Sequence, residues 1–488
     1  MSTTLPGGHG TSTGEAASRS SSASQSVVRR TAAALEESVA AVALAAMALL
    51  LLVESFVRPW SGFAIPGSLL FVRQLTLWVA LLGGALAAGR GRLLALATGV
   101  FLRDPRTRHA AEAIATATGA AVAAILCVAA VGLVHGEYLY GTIVAAGLRA
   151  WVSQLALPIG FGLIAIRMVA RVASPAGLAL AAVGLVVGVA IALRPEVLAG
   201  APVWPLVCLM IAAGALGAPL FSVLGGLAVL LFMADGTSPI AVLVRAYELT
   251  TDATLPALPV FTLAGFLLAE GDTAARLLRM FRAFFGWLPG GTAIVCAVVC
   301  AFFTVFTGGS GVTILALGGL LLPALVRDGY RDRFSIGLLT SSGSLGLLLP
   351  PALPLILYGI ISETPIQQLF VGGILPGLVM IAVVAAYGMW EGSASGVPRA
   401  RFDGREALAS LWHGRWEFLL PIVVLGAFLT GYATILETSA LTALYAFVMQ
   451  VMIHRNINTL SQVRRVLADT VMTIGGVLII LAVAVGFT

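Results

Sequence analysis

The chain has 488 residues, 59% of them apolar and only 10% charged, with a mean hydropathy of +1.02. Soluble domains carry roughly 25% charged residues, so this composition excludes a soluble enzyme or binding module of comparable length. The formal charge of +6 rests on 28 basic residues, all of them arginine. They sit in short loops beside apolar segments, which excludes nucleic-acid binding, and the lack of lysine excludes Schiff-base chemistry.

Residues 1–34 open the chain with Ser, Thr, Gly and Ala and almost no large apolar side chains up to residue 28, and read as a disordered tail. Apolar runs of about 20 residues follow, each long enough to cross a hydrocarbon core about 30 Å thick. The clearest are Val39–Phe56, Leu69–Ala88, Ala110–Val134, Leu155–Val169, Leu178–Leu193, Val203–Met233, Leu369–Tyr387 and Phe418–Leu436. The expected architecture is an all-α polytopic membrane protein with about 12–14 membrane segments, some of them broken. Residues 35–172 form a four-span block, 173–200 a single linking transmembrane helix, and 201–488 a larger block interrupted by Gly and Pro. Arg29, Arg30, Arg90, Arg92, Arg103, Arg106, Arg108, Arg167 and Arg171 mark the loops of one side. By the positive-inside rule that side, with the N-terminus, is cytoplasmic and His135–Arg149 lies opposite. Glu54 is expected to pair with Arg58 one turn on. Cys296 and Cys300, one turn apart in an apolar run, suit membrane packing better than a metal or disulfide site.

The chemistry concentrates in two stretches. Thr307-Gly308-Gly309-Ser310-Gly311-Val312-Thr313 places glycines and hydroxyls at membrane depth. Thr340-Ser341-Ser342-Gly343-Ser344 does the same and runs into Pro350-Pro351-Ala352-Leu353-Pro354. Proline removes backbone donors and breaks helices. Carbonyls freed in a membrane must be buried in protein, face water or coordinate a ligand. Broken helices near the midplane are how secondary transporters hold Na⁺ and anionic substrates. Packing of small residues is the competing reading for either stretch alone; two stretches about 30 residues apart favour a site. The candidate Na⁺ ligands are Thr307, Gly308, Ser310, Ser341, Ser342 and Gly343; the candidate substrate contacts are Thr313, Ser344, Pro350 and Pro351. Glu437, near a segment end, is a candidate cation-linked carboxylate. A passive channel and an intramembrane enzyme are the rival readings, but the five histidines form no metal-ligand or catalytic grouping.

Residues 201–488 resemble the large membrane subunit of tripartite ATP-independent periplasmic (TRAP) transporters. The matching runs are Leu258-Pro259-Val260-Phe261-Thr262-Leu263-Ala264-Gly265, Gly286-Trp287-Leu288-Pro289-Gly290-Gly291, the 307–313 stretch, Pro350-Pro351 with Tyr358-Gly359, and Leu369 through Gly377. Residues 35–172 resemble the small membrane subunit, through Leu75-Thr76-Leu77-Trp78 and Leu157-Pro158-Ile159-Gly160-Phe161. The resemblance implies a fused small-plus-large permease in the bacterial inner membrane: a non-enzymatic, Na⁺-driven importer of small organic anions such as dicarboxylates. It implies no cofactor beyond the coupling ion, a periplasmic solute-binding protein as partner, an elevator motion, and two inverted repeats with re-entrant hairpins. The sequence departs from the family pattern at Thr307-Gly308-Gly309…Thr313, where Ser-Gly-Ser…Asp is usual. It departs again at Ala352, usually Ser, and at Thr434-Ile435-Leu436-Glu437, where Thr-Pro-Thr-Glu is common. No second hairpin or second Pro-Pro break precedes Thr488, so the inverted-repeat core is expected to be incomplete, with the other half on a separate chain or a longer product.

Overall fold

A computed structural model describes residues 12–61, 67–96, 101, 104–145, 147–172, 174–397 and 401–486. Residues 1–11, part of the expected tail, lie outside them, as does Arg103. From Ser12 the chain is already helical, where composition suggested an irregular tail; the alanines spread through this stretch are strong helix formers.

The first block is built from α1 (Ser12–Ser61), α2 (Ser68–Arg90), α3 (Pro105–Tyr140), the short α4 (Ala150–Gln154) and α5 (Ala156–Ala170). Asp104 caps α3, accepting from the Arg106 amide, with Pro105 at the first helical position. The expected loop after Val134 is shorter than read: α3 continues to Tyr140, and a hairpin pairing Ile143 with Arg149 returns the chain. Next comes α6 (Pro175–Leu193), capped by Ser174, the segment expected to link the blocks. It lies along α3, where a Cβ at Gly184 or Gly188 would fall 2.4 or 2.3 Å from the carbonyls of Ala117 or Ala121. Small residues four apart on both helices permit this contact.

The second block opens with α7 (Val203–Ala215), α8 (Leu220–Ala234), α9 (Ile240–Thr250), α10 (Ala257–Glu270) and α11 (Thr273–Phe285). The single run expected over Val203–Met233 is two short helices, because Gly217, in a left-handed conformation, and Pro219 end the first turnwise. Then come α12 (Gly291–Thr307), α13 (Ser310–Arg327), α14 (Asp332–Ser342), α15 (Leu353–Ile361) and α16 (Ile366–Ala394). The block closes with α17 (Gly404–His413), α18 (Arg415–Leu429), α19 (Ile435–Val448) and α20 (Leu460–Val485). Phe418–Leu436 is not one span. Gly431 turns the chain, and Thr434 with Glu437 forms a capping box that starts α19.

Among the described residues nine helices are long and apolar enough to span a membrane, and a tenth arises if α14 and α15, bent by 46°, count together. Four shorter apolar helices bring the total within the expected 12–14. The chain is an all-α, multi-pass membrane protein.

Two large apolar clusters each draw on residues of both blocks. α2 lies against α20 so closely that a Cβ on Gly475 would fall 2.5 Å from the Gly83 backbone. Arginine pairs gather at one end: Arg90 with Glu37, Arg167 with Glu36, Arg92 with Asp469 at 3.4 Å, and Arg465 with Glu270 at 3.4 Å. At the other end Arg58 reaches Glu437 at 3.0 Å. The expected Glu54–Arg58 pairing is therefore replaced. Glu54 is buried and accepts from Ser68 across the α1–α2 turn, while Arg58 is drawn to α19. Cys296 and Cys300 are buried in the apolar core of α12.

Candidate functional site

The site begins where α12 stops. Gly308, in the left-handed conformation that favours glycine, caps α12 by donating its amide to the Thr304 carbonyl at 2.9 Å. The chain reverses through extended Gly309 into α13, so α12 and α13 form the hairpin expected over 307–313. α14 runs alongside and ends at Gly343, followed by a 3₁₀ turn over Leu345–Leu348 and the buried Pro350-Pro351 pair, joined by a cis peptide bond. The 3₁₀ turn is pressed onto α12: a Cβ at Gly346 would fall 2.3 Å from the Ala301 carbonyl and 2.7 Å from Thr304 Cβ. On the other flank a Cβ at Gly265 of α10 would meet the Phe306 carbonyl at 2.6 Å. The break is held on two sides by backbone contact.

Inside it three hydroxyls converge, all buried. Thr304 Oγ1 lies 2.8 Å from the Cys300 carbonyl, 2.9 Å from the Gly343 carbonyl and 2.9 Å from Thr313 Oγ1. Thr313 Oγ1 lies 2.8 Å from Thr307 Oγ1 and 3.3 Å from the Gly309 carbonyl. A threonine hydroxyl has one proton and two lone pairs. Three protons therefore serve five oxygen–oxygen contacts, so the cluster has fewer donors than close oxygen pairs. Close oxygens short of protons are the ligand chemistry of a hard cation. Ser342 Oγ, on the last turn of α14, is fully buried and without a hydrogen-bond partner.

Of the residues singled out in the sequence, Thr307, Thr313 and Gly343 meet in this cluster, with Gly308 and Gly309 forming its turn. Ser310 is half-buried, and its carbonyl lies 3.3 Å from where a Cβ on Gly343 would sit. Ser342 is adjacent through Gly343. Ser344 is half-buried and opens the 3₁₀ turn next to Gly343, its carbonyl accepting from the Leu347 amide at 3.2 Å rather than touching the hydroxyls. Pro350 and Pro351 lie buried beyond the 3₁₀ turn.

Two candidates fall outside it. Ser341 is exposed, turned away from the cluster, and donates to the Gly337 carbonyl of its own helix at 2.9 Å. Successive helical residues point about 100° apart, which here leaves Ser341 exposed while Ser342 is buried. Glu437 is occupied by its capping box, accepting from the Thr434 amide at 2.7 Å, and by Arg58.

Thr304, whose hydroxyl makes three of the cluster's contacts, as many as Thr313, escaped sequence reading. It lies inside an unbroken apolar run; its one signal was a second hydroxyl three residues before Thr307, on the same helical face.

Residues 207–488 match the DctM component of the tripartite ATP-independent periplasmic transporter family, and residues 47–178 match its DctQ component. The isethionate TRAP transporter permease protein DctMQ of Oleidesulfovibrio alaskensis is 29% identical over 64% of this chain and 51% of its own length. The C4-dicarboxylate TRAP transporter large permease protein DctM of Pseudomonas aeruginosa is 31% identical over 50% of this chain and 57% of its own. That of Rhodobacter capsulatus is 31% identical over 57% and 67%. The chain thus spans between about half and two thirds of the length of these relatives.

Proposed function

Since the chain belongs to the tripartite ATP-independent periplasmic transporter family, a family of permeases rather than enzymes, with small- and large-subunit-like blocks in one polypeptide, we propose that it is the permease component of a Na⁺-coupled importer. Its substrate class is small organic anions, carboxylate or sulfonate, delivered by a periplasmic solute-binding protein. Relatives are named for C4-dicarboxylates, isethionate and ectoine. Their common feature is a small, polar, acid-bearing molecule. The protein sits in the inner membrane with the arginine-paired end of the bundle, and its N-terminus, in the cytoplasm.

The observation that carries this reading is the proton-poor oxygen cluster. Thr304, Thr307 and Thr313 supply hydroxyls and Gly343 a carbonyl to one Na⁺, and Ser342 can turn its free hydroxyl toward it. Substrate contacts fall on the adjoining Ser344 and Pro350-Pro351 turn. The hydroxyl at Thr313, where a carboxylate is usual in the family, leaves this ion held by neutral oxygens. Na⁺ binding would bias the equilibrium between outward and inward states only by its differential affinity for the two.

The test is the melting temperature of the purified chain in neutral detergent over a series of Na⁺ concentrations, at constant ionic strength with K⁺. Stabilisation by Na⁺ that is lost in Ser342→Ala and Thr307→Ala supports the site. Equal stabilisation by Na⁺ and K⁺, or variants that respond as wild type, moves the ion elsewhere.

A further inference from the structure

A groove separate from the oxygen cluster runs between α14 and α16 and encloses about 360 Å³. Its α14 wall is Arg333, Gly337 and Ser341, four residues apart on one helical face, flanked by Phe334 and Leu338. At 1.5 Å rise per residue this wall covers about 12 Å along the helix. The α16 wall is Val383, Val384 and Tyr387. A Cβ on Gly337 would meet nothing within 4 Å, so the floor is open at mid-length. Ser341 turns its hydroxyl onto its own helix carbonyls and leaves the inner end effectively apolar.

The outer end has the opposite character. Arg333 stands at its mouth with no acidic partner among the described residues, and the same holds for Arg327 and Arg331 on the preceding turn. Asp328, between them, is already engaged by Arg282 and Thr292. An aromatic ladder runs past the mouth: Tyr330 on Phe334 at 5.3 Å, Phe334 on Tyr387 at 5.7 Å, Tyr387 on Trp390 at 5.8 Å. Aromatic side chains of this kind mark the headgroup level of a bilayer, and basic pockets between helices at that level bind anionic headgroups. The groove therefore offers an unpaired cation beside aromatic side chains of the kind found at headgroup level, and a largely apolar channel leading away from it.

We propose that this groove binds one anionic phospholipid, its phosphate on Arg333 and one acyl chain laid over Gly337 toward Ser341. The channel's inner end is one residue from Ser342 and two from Gly343, so the bound lipid braces α14 against α16 beside the cation cluster. The charge pattern selects the anionic headgroup, and the apolar walls select a chain over a small soluble anion.

The experiment measures melting of the purified full chain in neutral detergent, without Na⁺, as phosphatidylglycerol or phosphatidylcholine of matched chains is added. Inorganic phosphate and succinate are tested in parallel. Phosphatidylglycerol alone is expected to raise the midpoint. Arg333→Gln should weaken its apparent affinity about fivefold, on the scale of one interfacial arginine. Gly337→Leu keeps every charge, fills the channel and should abolish the effect; it also serves if Arg333→Gln fails to fold. Arg149→Gln, at the opposite end, should respond as wild type. Equal effects of the two lipids, or phosphatidylglycerol stabilisation unchanged in Gly337→Leu, would overturn the proposal. So would stabilisation by succinate that Gly337→Leu removes, which makes the groove a solute vestibule instead. Leaving Na⁺ out keeps this result independent of the cation site.

Discussion

Replacing Thr313 with valine keeps the branched shape and removes one oxygen from the centre of the cluster. In the structure that oxygen is buried and lies 2.9 Å from Thr304 Oγ1 and 2.8 Å from Thr307 Oγ1. Thr304 retains two carbonyls as alternative partners, at Cys300 and Gly343. Thr307 loses the one contact its hydroxyl makes here, and an unsatisfied buried hydroxyl costs about 1–3 kcal/mol. The Na⁺-free protein should be destabilised by that amount. The ion loses a ligand whose interaction with a charge is worth about 1.5–3 kcal/mol, a weakening of about 10- to 150-fold in Na⁺ affinity. Thr313→Ser restores the oxygen and should return most of the affinity. The assay is the Na⁺ concentration at half-maximal thermal stabilisation, measured in detergent against a K⁺ background. Identical sodium midpoints for Thr313→Val, Thr313→Ser and wild type would refute the assignment of Thr313 as a ligand, whatever happened to stability.

Other predictions follow from the packing and the charges. Gly475→Val should force α20 off α2 and cost about 1–3 kcal/mol, the usual penalty of overpacking, read as a lower melting temperature. Glu417 is fully buried and bound by Arg276; Glu417→Ala leaves that guanidinium unpaired and should cost about 3–5 kcal/mol, visible as loss of monodisperse protein. For topology, a cysteine at Tyr138 should react with an impermeant thiol reagent in intact cells and one at Arg92 only after lysis; the opposite pattern would reverse the orientation.

The sequence made the architecture readable where it depends on composition and punctuation. Apolar length revealed the long spans, and the glycine and proline breaks at 307–313 and 343–354 revealed the hairpin and the bend. What it hid depends on direction. Ser341 and Ser342 are neighbours in sequence, yet one is exposed and the other buried, and periodicity could not say which side of α14 was inside. Arg58 had an acidic residue one turn away, but Ser68 claimed Glu54 and an α19 carboxylate 379 positions away claimed the arginine. Phe418–Leu436 looked continuous because Gly431 and the Thr434 cap interrupt it with few polar atoms. Thr304 was invisible because its partners come from Gly343 and Thr313, which only the folded hairpin brings to it.

Equilibrium binding of radioactive sodium to the purified chain tests the central claim most directly. The account predicts saturable binding displaced by unlabelled Na⁺ but not by an equal concentration of K⁺. It further predicts that Thr304→Val and Thr313→Val each weaken binding at least tenfold while Ser341→Ala and Glu437→Gln, outside the cluster, leave it unchanged. Sodium binding that survives both threonine substitutions, or that disappears in Glu437→Gln alone, would contradict it.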